Sequence, residues 1–263
     1  MKQLIHSIIN HWELIGKLIK RDLISSYSGS IIGRAWLIID PIVYILITLV
    51  FFQFAVGGAP TSGVPYVAWV LPAIIFWTFL SSAINSSIGS VKEYSFLLRH
   101  KNFDLRSICL IKLCSAAFIH IVLMSALMII LVIFMNVGVG IKTITLLYYF
   151  FSMCMLLIAI NWLLSALAVF WKDIKYLVSI FLQVEFWISP IFWEPDKFPK
   201  WIALIMYINP FYYPMHGYRQ AVMLQNFGDN FIWLTIYFWL LTGTLLVISS
   251  YLFNKLSKAF GDV

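Results

Sequence analysis

Charge is what this sequence has least of. Asp, Glu, Lys and Arg make up 11% of its 263 residues, where a soluble domain carries roughly 25%. A chain that is 62% hydrophobic cannot hide that much apolar surface in one water-soluble core of this size. A soluble enzyme is therefore excluded, and so is disorder, which needs low hydrophobicity and high charge. Cysteine is scarce as well. Cys109, Cys114 and Cys154 all fall in apolar stretches with no CxxC pair, so neither a disulfide framework nor a zinc site is expected, and the three read as small buried hydrophobes. A glycine-rich phosphate loop is missing. The Gly16-Lys17 pair is followed by Leu18 and lacks the upstream glycine, which excludes nucleotide hydrolysis of that kind. There is no HExxH and no EF-hand loop. Of the scattered histidines only His120 lies deep in an apolar stretch, where packing and hydrogen bonding are the ordinary role. No metal site and no catalytic group emerge.

Long apolar runs are what is present. Mean hydropathy is +0.92, and a spanning helix needs about 20 mostly apolar residues. Six stretches qualify: Ala35–Gly57, Val64–Ser87, Ser107–Met135, Ile144–Trp171, Tyr176–Trp193 and Phe231–Phe253. Their length and continuity predict helices, since a membrane β-barrel shows ten-residue segments of alternating polarity. The expected fold is an all-α polytopic bundle of six transmembrane helices, 35–253, between an N-terminal segment 1–34 and a tail 254–263. No cleavable signal is expected, because the first 34 residues carry Lys17, Lys20, Arg21 and Arg34 without a compact apolar core. With the N-terminus in the cytoplasm, only Lys142, Lys197, Lys200 and Arg219 fall on the far side, against fourteen lysines and arginines on the near side. That asymmetry places both termini in the cytoplasm. It also accounts for the net charge of +7 as a topology and headgroup signal, with no motif that would bind nucleic acid.

Three segments do not span. In residues 3–24, Gln3, His6, Asn10, Glu13, Lys17, Lys20 and Arg21 oppose a stripe of Leu4, Ile8, Trp12, Ile15, Ile19 and Leu23. This predicts one amphipathic helix in the interfacial plane, as an anchor or as a collar touching a cytoplasmic partner. The gap from Ser90 to Ser107 is longer and more apolar than a connector requires. Lys92, Glu93, Tyr94, Leu97, Leu98, Arg99, Asn102 and Phe103 within about 91–104 set an aromatic and aliphatic face among charges, read either as a docking surface or as a linker lying on headgroups. The far gap from Glu194 to Asn230 is too apolar for a solvated loop and too interrupted by Pro195, Pro199, Pro210 and Pro214 to span. It predicts two short helices, about 197–226, dipping in from outside and meeting at Asn209-Pro210 over a cavity mouth.

Acids inside the membrane are rare and functional by default. Asp40, before Pro41, is expected to bond backbone freed by the proline; Glu185, mid-way through the fifth stretch, is expected to have Arg219 within reach. Too few such residues, and no inverted repeat, argue against a proton-coupled transporter centred on Glu185 and His120. Aromatics are plentiful: Trp36, Tyr44, Phe51, Trp69, Phe76, Trp77, Phe186, Trp187, Phe192 and Trp193 load the first, second and fifth stretches. They are interfacial belts and lipid-facing bulk, or rings that stack on sugars.

The order and spacing of these features resemble one family. Lys20-Arg21-Asp22-Leu23, Tyr27-Ser28-Gly29-Ser30 and Gly33-Arg34-Ala35-Trp36 look like its approach to the first span, and Asp40-Pro41 sits where it places an acid or Asn before proline. Phe170-Trp171-Lys172-Asp173-Ile174 resembles its aromatic–basic–Asp turn. Trp187-Ile188-Ser189-Pro190-Ile191, Asn209-Pro210 and Gly217-Tyr218-Arg219-Gln220-Ala221 resemble its fifth-span end and gate helices. The chain thus resembles the membrane subunit of ABC-type polysaccharide exporters, the O-antigen, capsule and teichoic-acid permeases. One departure is Asn102-Phe103-Asp104-Leu105-Arg106, where the family has an aromatic-Pro-Arg turn.

The resemblance implies a homodimeric channel in the bacterial inner membrane with two ATP-binding-cassette subunits below, which bind the ATP and Mg; this chain needs no cofactor. The substrate implied is a lipid-linked polysaccharide, O-antigen foremost, on undecaprenyl diphosphate. Lys92–Phe103 with Lys17, Lys20, Arg21 and Asp22 would couple to the ATPase. Tyr207, Asn209, Pro210, Phe211, Tyr212, Tyr213 and Arg219 would gate, and the aromatics would line the path. The rival readings are a drug or lipid permease of the same architecture, and a membrane glycosyl- or acyltransferase, for which a nucleophile or paired acids would be needed.

Overall fold

The computed structural model describes residues 2–25, 31–55, 66–99, 103–135, 138, 140–224 and 231–262. Asn102 and the Tyr27–Ser30 stretch lie outside them, as do 225–226 at the end of the expected gate segment. Eleven α-helices are present among the described residues: α1 Lys2–Asn10, α2 Trp12–Ser25, α3 Trp36–Ala55, α4 Tyr66–Ile88, α5 Ser90–Glu93, α6 Arg106–Met135, α7 Thr145–Phe170, α8 Ile174–Ile188, α9 Lys200–Ile208, α10 Tyr212–Met223 and α11 Phe231–Leu256. Short 3-10 turns join several of them, and there is no strand among the described residues. Helices are the economical answer to this composition, because a lipid environment offers no partner for an unpaired backbone group.

Four helical stretches are long and apolar enough to cross a membrane: Ala68–Ile88, Arg106–Phe134, Ile141–Phe170 and Phe231–Phe260. α4 is the hub, with 72% of its most apolar window buried, whereas α11 has 11% buried and packs mainly on α7. Around α4 are arranged α6, α7, α10, α3 and α8. α3 keeps its helix through Pro41. The fifth stretch is shorter than its hydropathy implied. α8 has 15 residues and ends at Ile188, where Ser189 adopts an extended backbone ahead of Pro190. The residue before a proline is pushed out of the helical region by the ring, so Phe192 and Trp193 belong to the loop beyond.

The N-terminal segment also differs from expectation. It is two helices with a break at His11, and of the expected apolar stripe Leu4 is buried, Ile8, Ile15, Ile19 and Leu23 are half-buried and Trp12 alone turns outward. Leu4, Ser7, Leu18 and Asp22 are buried, with Ile8, Leu14 and Ile15 beside them, while Trp12 is 68% exposed. The inward stripe is chosen by α6, on which α1 and α2 pack. It accepts Ser7 and Asp22 because α6 and its preceding turn offer them partners. Among the cysteines only Cys109 is buried; Cys114 is exposed on the outside of α6 and Cys154 is half-buried, so the uniform buried reading fails for Cys114. On a membrane helix an outward thiol meets no polar penalty.

Candidate functional site

The expected coupling segment forms a buried electrostatic junction. Lys112, one and a half turns into α6, is 6% exposed. Its ammonium pairs with Asp22 of α2 and, at 2.7 Å, with Glu93 of α5. Tyr94 donates its hydroxyl to Asp22 at 3.3 Å. Burial first, and the Asp22 carboxylate second, push the Tyr94 phenol above its ordinary range, so it remains the donor. The Arg21 guanidinium stands 4.9 Å over the Tyr94 ring and 5.3 Å over Phe96, close enough for cation–π attraction. An isolated ammonium at this depth would be costly, and paired carboxylates are what makes Lys112 tolerable there.

This geometry corrects the reading of the gap as an exposed apolar face. Tyr94 is fully buried and Leu97 is 1% exposed; both pack with Leu18, Ile108 and Ile111. They face α2 and α6, because a Tyr or Leu that can reach an apolar neighbour buries there. The surface that remains outward is Lys92, Glu93, Ser95 and Phe96, the last 43% exposed. Leu98 and Arg99 are described by backbone alone, in a 3-10 turn. Lys17, Lys20 and Arg21 are exposed. Phe103 is buried, its ring 5.7 Å from His11. After Phe103, the Asp104 carboxylate accepts from the Arg106 backbone N–H at 3.0 Å and from Arg106 Nε, capping α6. The Asp104 N–H donates to Ser7 of α1 at 3.0 Å, and Arg106 Nη1 donates to Ser250 of α11.

At the other end, two buried knots hold α8, α9 and α10 together. Glu185 accepts from Ser189 Oγ at 2.7 Å and from Asn209 Nδ2. Asn209 Nδ2 also reaches Ser189, and its Oδ1 accepts from the Phe211 N–H at 2.8 Å, which fixes the turn through Pro210. Arg219, 3% exposed on α10, does not reach Glu185. Its guanidinium donates to the carbonyls of Trp69, Pro190 and Ile191 and lies 3.7 Å over the Trp69 ring. Five rigidly forked donors suit the carbonyls left free where α8 stops, and this demand outcompetes the distant carboxylate.

α10 is the most enclosed short helix. Phe211, Tyr212 and Tyr213 are 2–5% exposed, and Gly217 admits the Tyr149 ring of α7 so closely that a Cβ would stand 2.1 Å from Tyr149 Cε1. Tyr213 shares hydroxyl hydrogen bonds with Tyr148 at 3.0 Å and Thr235 at 3.1 Å. Pro210 and Phe211 border an apolar cleft with Phe181 of α8. α9 has Trp201, Leu204 and Ile205 outward, and Tyr207 bonds Asp196. His120 lies between Phe79 and Phe150, with Nε2 3.0 Å from the Tyr218 hydroxyl.

The candidate path aromatics divide into two groups. One is a continuous ring chain. Tyr44 stands 6.4 Å and Trp77 5.4 Å from Phe186, which touches Trp187 and Phe192, each at 5.4 Å; Phe192 meets Trp193 at 5.9 Å, and Trp193 meets Phe198 at 6.4 Å. It runs from α3 and α4 over the end of α8 into the loop beyond, with Trp77 and Phe192 buried in the core and Tyr44, Phe186, Trp187 and Trp193 accessible. The other group is packing. Phe76 is fully buried against Tyr218, and Trp69 lies under Arg219. Trp36 is half-buried at the start of α3 and Phe51 is 58% exposed near its end. Asp40 is exposed and makes no hydrogen bond among the described residues. The group Pro41 leaves free is a carbonyl, and a carboxylate cannot donate to it.

Lys112, Ser189 and Tyr149 carry much of this geometry, and the sequence reading did not single them out. Lys112 had a signal, a lysine inside an apolar helix, which was absorbed into the charge count.

The chain is similar in sequence to known export proteins. The chain is 21% identical over 261 residues to the O-antigen export system permease protein RfbA of Klebsiella pneumoniae, covering 96% of this chain and 95% of that protein. It is 23% identical to the protein of the same name from Myxococcus xanthus, covering 86% of each. Against the capsule polysaccharide export inner-membrane protein CtrC of Neisseria meningitidis serogroup A it is 28% identical over 133 residues, 48% of this chain and 49% of that one. A family model described as ABC-2 type transporter matches residues 13–223, and with most of its length inside that match the chain, an integral membrane protein, belongs to the ABC-2 type transporter family.

Proposed function

We propose that this chain is the permease subunit of an ATP-driven exporter that moves a lipid-linked polysaccharide, with O-antigen the first candidate, across the bacterial inner membrane. The observation that carries the substrate class is the set of accessible rings Tyr44, Phe186, Trp187 and Trp193, held in one ring chain by the buried Trp77 and Phe192. Aromatic faces stack on the apolar faces of sugars at many successive positions, which suits a polymer that slides. The names of the relatives support the same class.

In this reading α3 and α8 complete six spans with the four longer helices, and α9 and α10 are re-entrant from the outer side. Both termini are cytoplasmic. Two copies form the channel, and a separate ATP-binding subunit docks below each and supplies the ATP chemistry. The carrier lipid is undecaprenyl diphosphate. Closure of the ATP-binding subunits would press on the Lys92–Phe96 surface, and the Asp22–Lys112–Glu93 junction would pass the motion to α6.

Deleting the gene in its host should remove the long glycan from the cell surface while leaving lipid-linked glycan in the inner membrane, and the tagged chain should co-purify with an ATPase. A cysteine at Asn136 should react with an impermeant thiol reagent in whole cells and one at Asn102 should not. Unchanged surface glycan in the deletion strain would overturn the reading.

A further inference from the structure

α3, α4 and α6 enclose a pocket of about 350 Å³, near the lower end of the roughly 300–1,000 Å³ range of small-ligand sites. It differs from the cleft beside Pro210 and the cleft between α9 and α11, which are lined almost wholly by apolar side chains. Asp40 of α3 faces it, opposite Thr78, Ser81 and Ser82 of α4, and Tyr44 and Trp77 close one end. Thr78, Ser81, Ser82 and Asn85 recur at the helical spacing of three and four, so one face of α4 is polar along the half nearest α5.

The donor and acceptor inventory is lopsided. Thr78 gives its proton to the Ile75 carbonyl at 2.8 Å and Ser81 to the Thr78 carbonyl at 3.3 Å, which leaves lone pairs toward the pocket. The Asp40 carboxylate only accepts when ionised and has no described partner. No lysine or arginine lines the pocket, and the His120 ring that borders it is paired through Nε2 with the Tyr218 hydroxyl. Such a site prefers a ligand rich in O–H donors and disfavours phosphate or a carboxylate. Because Tyr44 and Trp77 also begin the ring chain, with Phe186 next at 6.4 Å and 5.4 Å, the pocket opens onto the aromatic path at its first rings.

We infer that the Asp40–Thr78–Ser81–Ser82 pocket is a binding subsite for a neutral sugar residue, which takes hydroxyl donors at Asp40 and the α4 hydroxyls and stacks the ring on Tyr44. The inference rests on the glycan-export reading and narrows it: uncharged glycan units are favoured at this position, and uronic acids and the carrier diphosphate are not.

The test is chemical protection of the full chain in lipid nanodiscs. Ser82→Cys is reacted with N-ethylmaleimide, with the unsubstituted protein as background, in the presence of maltohexaose or of hexagalacturonate. Maltohexaose should slow alkylation at least threefold and hexagalacturonate should not. Adding Asp40→Asn, which is isosteric, should abolish the protection with the protein still monodisperse. Equal protection by both sugars, protection by neither, or protection indifferent to Asp40→Asn would overturn the subsite. Surface glycan in the deletion strain is scored separately, so failure of the export reading and failure of the subsite are distinguishable.

Discussion

Lys112 of α6 and Asp22 of α2 form a buried ion pair across ninety residues of sequence, and Glu93 of α5 joins them from the third side. One ammonium thereby fixes the amphipathic N-terminal segment and the expected docking segment to the same turn of a spanning helix. α2 and α5 are thus both tied to α6 at that point.

Breaking this pair should be costly. Lys112→Met removes the ammonium from the buried Asp22 carboxylate, and removing one member of a buried pair costs roughly 3–5 kcal/mol. Thermal unfolding in detergent should fall clearly for Lys112→Met and less for Asp22→Asn, which keeps a polar partner. The double change should cost less than the sum. Additive losses would mean that the two residues are not energetically coupled.

The docking face should separate by burial. Tyr94→Asp or Leu97→Asp puts a charge into a packed apolar cluster and should destabilise the chain itself. Lys92→Glu and Phe96→Asp alter the outward surface. They should leave thermal stability near normal while weakening co-purification with the ATP-binding subunit. Normal co-purification in the Lys92–Phe96 double variant would move the interface elsewhere.

Gly217→Ala should destabilise, by about 1–3 kcal/mol as for other overpacked sites, because its Cβ would stand inside contact distance of the Tyr149 ring. Gly16→Ala in α2 meets nothing within 4 Å and should stabilise its helix by up to about 1 kcal/mol. Circular-dichroism melts of both variants check the sign of each effect.

The two groups of aromatics should respond oppositely. Phe76→Ala empties a fully enclosed site and should cost about 3–5 kcal/mol, with loss of export following loss of fold. Trp187→Ala, at a half-exposed ring, should cost far less stability. Phe186, Trp187 and Trp193 changed together should stop export while the protein remains folded. Full export in that triple variant would remove the ring chain from the path.

Much of the molecule was legible without coordinates. Scarce charge and long apolar runs dictate membrane helices, and the prolines at 195, 199, 210 and 214 dictate that Glu194–Asn230 cannot be a span. Both follow from local chemistry, since hydropathy and backbone sterics act residue by residue. The face that a residue turns inward is not local. Tyr94 and Leu97 looked like a docking surface because an apolar residue beside charges reads alike whether its partner is another protein or the next helix.

The sequence by itself determined the all-helical membrane class and most of the helical segments, because each depends on composition or on short-range spacing. Only the tertiary structure decided which ions pair, that Arg219 caps carbonyls while Glu185 binds Ser189 and Asn209, which aromatics form a continuous path, and that Asp40 faces the hydroxyls of α4. These depend on contacts between residues far apart in the chain, where a change of helix rotation alters every partner without altering any local propensity.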